Sequence, residues 1–379
     1  MFRKKQSVNG EKMILVTFGN LNSMTSTKNI KNKNTAIISL AWPFGIARGP
    51  EKIWVFLKKI GLMKNLNFRI GHAAMLVATE DKLLFYDLGR YLSPLGYSRC
   101  RSKETDPKLE IKTRPIWNEK GEIENTSTIF QELEDMKKGT HGDGALYASI
   151  TYDVNIEKIL YFSKALQKEG FQKYGSLKKS KINCGKFVAR AILEGLDKKS
   201  STYKKLNNPN TYSHTPYFNV LAASSSGDFM IWENGKEEWK KVEIKDALSD
   251  LIRKGYESFS RKKSKLLSSD KFVGQNYQPL NIPKNIKQTA TYLGGIGEGA
   301  WHELTLNSET EVCMKRYFYS GEFEFENTYL VNSIWINYLK NNSATLVHNS
   351  HNLWITLMNT ETNEKLKFFA VNCTEEWKM

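Results

Sequence analysis

Residues 182–188, with the sequence INCGKFV, place Cys184 at the start of a helix with one apolar face. Asn183 is a preferred N-cap residue, apolar residues recur at helical spacing and a glycine follows them, which predicts a helix over 183–194. Unpaired amide groups at a helix start carry partial positive charge and lower the pKa of a thiol. The stretch therefore predicts a nucleophilic Cys184, whose own N–H would face a developing oxyanion. Asn183 or the loop at Tyr174 is the candidate for a second oxyanion donor.

A hairpin pattern earlier in the chain supplies a candidate base. Two strands are predicted over 69–78 and 82–88, with His72 near the start of the first and Asp87 near the end of the second. Paired strands bring such positions together, although the sequence does not fix their register. A cysteine nucleophile needs a base within reach and a polar group that orients the base. We therefore predict that His72 acts as general base and then acid, and that Asp87 orients its imidazole.

These motifs together resemble the permuted papain-like proteins. The resemblance lies in a Gly-His that opens a strand, an acidic residue that ends the next strand, and a later helix that begins Asn-Cys-x-x-Phe. This superfamily includes the NlpC-type amidases of permuted order and the lecithin:retinol acyltransferase group. In ordinary papain-like enzymes the cysteine helix comes first, whereas here His72 and Asp87 precede Cys184. The third residue of the family is often His or Asn, and Asp87 stands in that position here.

The resemblance covers about residues 35–220 and carries implications for fold and chemistry. It implies an α+β domain in which the cysteine helix packs against a small antiparallel sheet. It also implies acyl chemistry on a small-molecule or peptide substrate. The reaction is either hydrolysis of an amide or ester, as in a thiol protease or thioesterase, or transfer of an acyl group through a thioester.

A structural interpretation is also possible for each of Cys184, His72 and Asp87. Free cysteines are among the most buried residue types, and an aspartate before a glycine often caps a turn. His72 likewise begins an apolar strand, as a satisfied core histidine would. The joint arrangement in permuted order favours the catalytic interpretation.

The long segment between the hairpin and Cys184 holds further candidates for a substrate pocket. Arginine binds carboxylate or phosphate in bidentate geometry, although surface ion pairing is the favoured interpretation for the arginines of 90–101. The pocket candidates are Arg90, Tyr91, Arg99, His141 and Tyr174.

Composition divides the chain into a leader, two domains and a connecting segment. Residues 1–34 are polar and are expected to form a poorly ordered leader, and 35–225 form the papain-like domain. Residues 226–280 are predicted to connect the domains, with a linker from 261 to 278. Short β-rich segments from 281 to 379 predict a sandwich or barrel. Its aromatics are candidates for contact with a protein or carbohydrate partner, namely Trp301, Tyr317, Phe318, Tyr319 and Trp335.

Composition limits the class of protein. The formal charge is +16, but the lysine runs have no accompanying nucleic-acid motif, so solvated surface is favoured over a nucleic-acid site. No apolar run approaches a membrane span, and the four scattered cysteines favour reduced thiols, which predicts a cytoplasmic protein. Neither a metal site nor a cofactor is predicted, because His348 and His351 lack a third ligand and the glycines of 294–299 lack a βαβ unit.

Two classes of function remain open on these grounds. The first is a cysteine hydrolase or acyltransferase that acts through an acyl-enzyme thioester. The second is a catalytically inactive papain-like scaffold that binds a partner through its β-rich C-terminal domain, since a fold does not fix a function.

Overall fold

The computed structural model describes residues 34–49, 51–211, 213–270, 279–295 and 299–378. The predicted leader over 1–34 lies outside these residues, apart from Asn34. None of the helices in the described ranges is long and apolar enough to cross a membrane.

An eight-stranded antiparallel sheet organises the N-terminal two thirds of the chain. Its strand order is β10-β9-β7-β1-β4-β5-β6-β8, and β2 and β3 form a separate short ladder. The strands are β1 (Ala36–Trp42), β2 (Ala47–Arg48), β3 (Asn67–Phe68), β4 (His72–Ala78), β5 (Leu83–Gly89), β6 (Tyr97–Arg101), β7 (Leu146–Tyr152), β8 (Phe171–Lys173), β9 (Asp228–Glu233) and β10 (Lys236–Lys241).

Both faces of this sheet are covered, which explains why its central strands are apolar at nearly every position. Successive side chains of a strand point to opposite faces. In β4, Met75 and Val77 join the apolar cluster on the side of the cysteine helix, and Ala74 and Leu76 join the cluster on the other side. The helices are α1 (Lys52–Lys59), α2 (Thr126–Asp135), α3 (Lys137–Thr140), α4 (Ile156–Glu169), α5 (Cys184–Gly195), α6 (Ser201–Asn207), α7 (Pro216–Ala223) and α8 (Lys245–Phe259).

The segment predicted to connect two domains, 226–280, is built into the first of them. Strand β9 pairs with β7 and buries Phe229 and Trp232, so it continues the sheet. The Ser258 hydroxyl at the end of α8 donates to the Asn67 carbonyl at 2.7 Å. The prediction of a linker is wrong for 261–270, where the Asp270 carboxylate accepts from the Leu66 N–H at 2.8 Å; residues 271–278 lie outside the described ranges.

The C-terminal part is β-rich, as predicted. A four-stranded antiparallel sheet has the order β11-β12-β13-β14, a three-stranded one has the order β15-β16-β17, and both contribute to one apolar core. A helix, α9, was not expected from the sequence, because its aromatic and β-branched residues are typical of strands. The elements are β11 (Thr291–Leu293), β12 (Ala300–Leu306), β13 (Glu311–Phe318), β14 (Phe323–Leu330), α9 (Ser333–Lys340), β15 (Ala344–Leu346), β16 (Trp354–Asn359), β17 (Lys365–Phe369) and α10 (Glu375–Lys378).

The predicted α+β class is therefore confirmed, with the cysteine helix against an antiparallel sheet and a β-rich part after it. The aromatics proposed as an exposed partner surface are mostly core residues, since Trp301, Phe318 and Trp335 are buried. Tyr319, at 51% exposure, is the exposed member of that group.

Candidate active site

The β4–β5 hairpin brings His72 and Asp87 into direct contact. Ala74 lies opposite Asp87 in the ladder, so His72, two residues earlier, projects from the same face beside the carboxylate. The His72 Nε2 atom is 2.8 Å from Asp87 Oδ2. On the neighbouring strand Trp42 pairs with His72, and its ring stacks on the imidazole at 6.0 Å between centroids. The imidazole is thus held between an indole and a carboxylate.

Cys184 is the first residue of α5, as the sequence predicts. Its thiol lies within interaction range of the His72 imidazole, the Tyr174 hydroxyl and the backbone N–H groups of Ala73 and Gly185. Because Nε2 of His72 faces Asp87, Nδ1 is the ring nitrogen left for the thiol. The structure therefore brings the three predicted residues together in the order Cys184, His72, Asp87.

The charges in this series of three side chains reinforce one another. Burial raises the pKa of the Cys184 thiol, but the hydrogen bond and charge of His72 and the two backbone N–H groups outweigh burial, so the pKa is lowered. Burial lowers the pKa of His72, but Asp87 and Cys184 outweigh it and raise the pKa to about 9. These opposite shifts favour a thiolate–imidazolium pair at neutral pH.

Arg101 lies behind Asp87 in this series, although the sequence favoured a surface ion pair for it. Its guanidinium binds both carboxylate oxygens of Asp87, with Nε at 2.9 Å from Oδ1, and Nη1 donates to the Gly139 carbonyl at 3.1 Å. Burial raises the pKa of Asp87, but Arg101 and His72 outweigh it and hold the pKa near 2. The sequence carries no clear signal for this role, because β6 reads YSRCR and its burial is seen only in the fold.

The arginines of β6 are not the surface ion pairs that the sequence favours. Arg101 is 1% exposed and Arg99 is 5% exposed, because both pair with carboxylates inside the fold. Arg99 binds Asp106 in bidentate geometry with two contacts of 2.7 Å. Arg316 of β13 also reaches Asp106, at 2.6 Å. Arg99 therefore has a structural partner and lies outside the lining of the cleft described next.

An open cleft of about 740 Å³ lies over Cys184 and His72. Four of the predicted pocket residues line it, namely Arg90, Tyr91, His141 and Tyr174. The C-terminal part contributes residues 318–320 to the same lining, which the sequence did not indicate. The cleft thus lies where both parts of the chain meet, with Cys184 in its lining.

Asn183 does not line this cleft, in contrast to its prediction as an oxyanion donor. Its Oδ1 accepts from the Lys186 N–H at 2.8 Å, and its Nδ2 donates to the Ser176 hydroxyl at 3.1 Å. Both polar atoms of the side chain are therefore used to cap α5 and to hold the preceding loop.

His141 contacts the cleft as a neutral imidazole. Burial and the nearby Arg101 guanidinium lower the pKa of His141 to about 3. Its ring lies 4.6 Å from the ring of Tyr91, between centroids. At neutral pH His141 offers the cleft an uncharged ring.

Gly71 lies immediately before His72, and its backbone conformation determines how the chain enters β4. Its φ is +86°, and a Cβ at this position would lie 2.3 Å from the Trp42 carbonyl oxygen. We expect Gly71→Ala to lower the free energy of unfolding by about 2–4 kcal/mol, through left-handed strain and a clash with backbone. Gly96→Ala is the matched control, because Gly96 has a φ of +87° and open space around its Cβ position. Equal losses in urea denaturation of the two variants would contradict this account of Gly71.

Comparisons with known proteins match two parts of the chain to family models. Residues 37–201, which include His72, Asp87 and Cys184, match a family model described as type VI secretion system effector TseH-like. Residues 290–369 match the C-terminal domain model of the DUF6695 family. No curated protein matches the sequence. The crystal structure of the type VI secretion system effector TseH aligns with 55% of this chain and 99% of its own length, at 12% sequence identity and a TM-score of 0.37.

Proposed function

We propose that this protein is a cysteine-nucleophile hydrolase that forms an acyl-enzyme on Cys184. The observation that carries the proposal is the series Cys184, His72, Asp87 beside an open cleft, in which His72 hydrogen-bonds Asp87 and interacts with the Cys184 thiol. A thiolate attacks the acyl carbon, His72 then donates its proton to the leaving group, and the imidazole next activates the water that cleaves the thioester. Asp87 keeps the imidazole in the orientation that these transfers require.

The match of residues 37–201 supports a hydrolase of the effector kind. We propose a peptide or small-molecule amide or ester as the substrate, within the papain-like superfamily that the motifs resemble. We also propose the cytoplasm as the compartment in which the chain folds, because all four cysteines are free thiols.

The inactive-scaffold alternative has less support. It requires an exposed binding surface on the C-terminal part, whereas most of the aromatics considered for that role are buried. The perturbed pKa values of Cys184 and His72 are also typical of a working thiol site. A protein or carbohydrate partner of the C-terminal part remains a separate proposal, without a surface that singles it out.

The test is acetylation by p-nitrophenyl acetate, followed by mass spectrometry of the cysteine peptides. We expect one acetyl group on Cys184, labile to hydroxylamine, and none on the Cys184→Ala protein. Cys100→Ala is the matched control, because Cys100 is buried in the same core and burial raises the pKa of its thiol. Undiminished acetylation of Cys184→Ala would refute the proposal.

The same acyl-enzyme separates hydrolysis from acyl transfer. Release of acetate in water alone indicates a hydrolase. Release only after addition of an amine acceptor indicates an acyltransferase, which uses the same thioester with a different second nucleophile.

A further inference from the structure

One cationic side chain in the lining of the cleft has no role in the proposed acyl chemistry. Within the described part of the chain, four cationic side chains line the cleft besides Arg101, and three have carboxylate partners: Arg69 pairs with Glu257, Lys137 with Glu134 and Lys138 with Glu322. Arg90 is the fourth, and among the described residues it forms no ion pair. One acidic residue, Asp143, is also part of the lining.

Arg90 is held close to the nucleophile. Its guanidinium lies 4.7 Å from the centroid of the Tyr174 ring, and the Tyr174 hydroxyl lies within interaction range of the Cys184 thiol. The arginine is therefore separated from the sulfur by one aromatic ring. Its Nη1 donates to the Arg48 carbonyl at 3.0 Å, which fixes the plane of the guanidinium.

The remaining donors of Arg90 suit an anionic group on the substrate. A guanidinium has five N–H donors, and the bond to Arg48 uses one of them. A planar fork of free donors binds a carboxylate in bidentate geometry, and stacking on a tyrosine preorganises the fork. We propose that this protein acts on acyl substrates that carry a carboxylate close to the scissile carbonyl, and that Arg90 binds this carboxylate.

This inference rests on the proposed function, and thiol alkylation separates the two. Iodoacetate and iodoacetamide both transfer a two-carbon group: the sulfur–carbon bond forms, the carbon–iodine bond breaks and iodide leaves. The reagents differ in charge, so the ratio of their rate constants at Cys184 measures attraction for a carboxylate. We expect Arg90→Gln to lower the iodoacetate-to-iodoacetamide ratio about tenfold, the order of effect of a hydrogen bond to a charged group.

Two further arginine variants are the controls for Arg90→Gln. Arg69→Gln removes a cleft cation that Glu257 already neutralises, and Arg114→Gln removes an exposed cation outside the lining. We expect a small change for the first and none for the second. If Arg69→Gln lowers the ratio as much as Arg90→Gln, or if Arg90→Gln leaves it unchanged, the inference is wrong. Slow alkylation of wild-type Cys184 by both reagents would instead refute the proposed function.

An ester pair extends the test to acyl transfer itself. The p-nitrophenyl monoester of succinic acid has a free carboxylate, and the corresponding methyl ester is neutral. We expect the wild-type protein to prefer the acid in kcat/KM, and Arg90→Gln to lose that preference. Equal preference in the two proteins would overturn the assignment of Arg90.

Discussion

At pH 6 we expect iodoacetamide to alkylate Cys184 rapidly in the wild-type protein and about tenfold more slowly in His72→Ala. An ordinary thiol, with a pKa of about 8.5, is less than about 1% thiolate at this pH. The imidazolium of His72 lowers the pKa of the Cys184 thiol, so its loss removes thiolate. A thiolate of lower pKa is intrinsically less nucleophilic, which offsets part of the difference and limits it to the order of tenfold.

The direction of the pH profile follows from both shifts. The pKa of His72 is raised to about 9, so the imidazole stays protonated through neutral pH, while the lowered pKa of Cys184 makes the thiolate available there. The wild-type rate should therefore be nearly level around pH 7. In His72→Ala the rate should rise steeply above pH 8, because burial raises the pKa of the thiol and only the backbone N–H groups of Ala73 and Gly185 remain to lower it. Peptide mapping assigns the label, and identical profiles would show that His72 does not activate the thiol.

The second large effect concerns the contact between the two parts of the chain. We expect Arg316→Met to lower the free energy of unfolding by about 3–5 kcal/mol, the usual cost of breaking a buried ion pair from one side. Arg316 is fully buried, and its guanidinium binds Glu324 on β14 and Asp106 in the N-terminal part. Glu324 also accepts from the Tyr91 hydroxyl at 3.1 Å, and Tyr91 lines the cleft. The substitution leaves two buried carboxylates short of a partner.

A neighbouring residue gives the matched control. Lys315 on the same strand pairs with Glu326 at 3.2 Å, but this pair is exposed to solvent. Exposed ion pairs contribute little, so Lys315→Met should change urea denaturation far less than Arg316→Met. The Arg316→Met, Glu324→Leu double variant should recover part of the loss, because it removes one unpaired carboxylate. Similar losses for Lys315→Met and Arg316→Met would contradict the importance assigned to the buried network.

The parts of the fold that could be predicted are those with strong local signals. The cysteine helix has an Asn cap, an apolar face and a terminal glycine, and strands β1 and β4 are apolar runs bounded by turn residues. The sequence predicted that His72 and Asp87 lie on one hairpin. It did not predict which residues pair across that hairpin, because register depends on packing on both faces. The pairing of Ala74 with Asp87 is what brings the carboxylate beside the imidazole.

The features that escaped prediction depend on contacts between distant residues. Asp87 lies only 14 residues before its partner Arg101, but Asp106 pairs with Arg316 across 210 residues. No local pattern indicates such a pair, so the β6 arginines resembled surface residues. Strand β9 follows a serine-rich turn and resembled a connection, although the edge of β7 requires a partner for its backbone groups.

The four groups Arg101, Asp87, His72 and Cys184 alternate in sign when the thiolate forms, so their formal charges sum to zero. When the thiolate attacks an acyl carbon, as proposed, the negative charge moves from the sulfur to the carbonyl oxygen of the substrate, and the four groups keep one unbalanced positive charge. The thiolate is one of the groups that raise the pKa of His72, so its loss lowers that pKa. The imidazolium therefore becomes a stronger acid at the stage when the departing group needs a proton. The net charge of these four groups thus determines at which stage His72 gives up its proton. No movement of the backbone is needed.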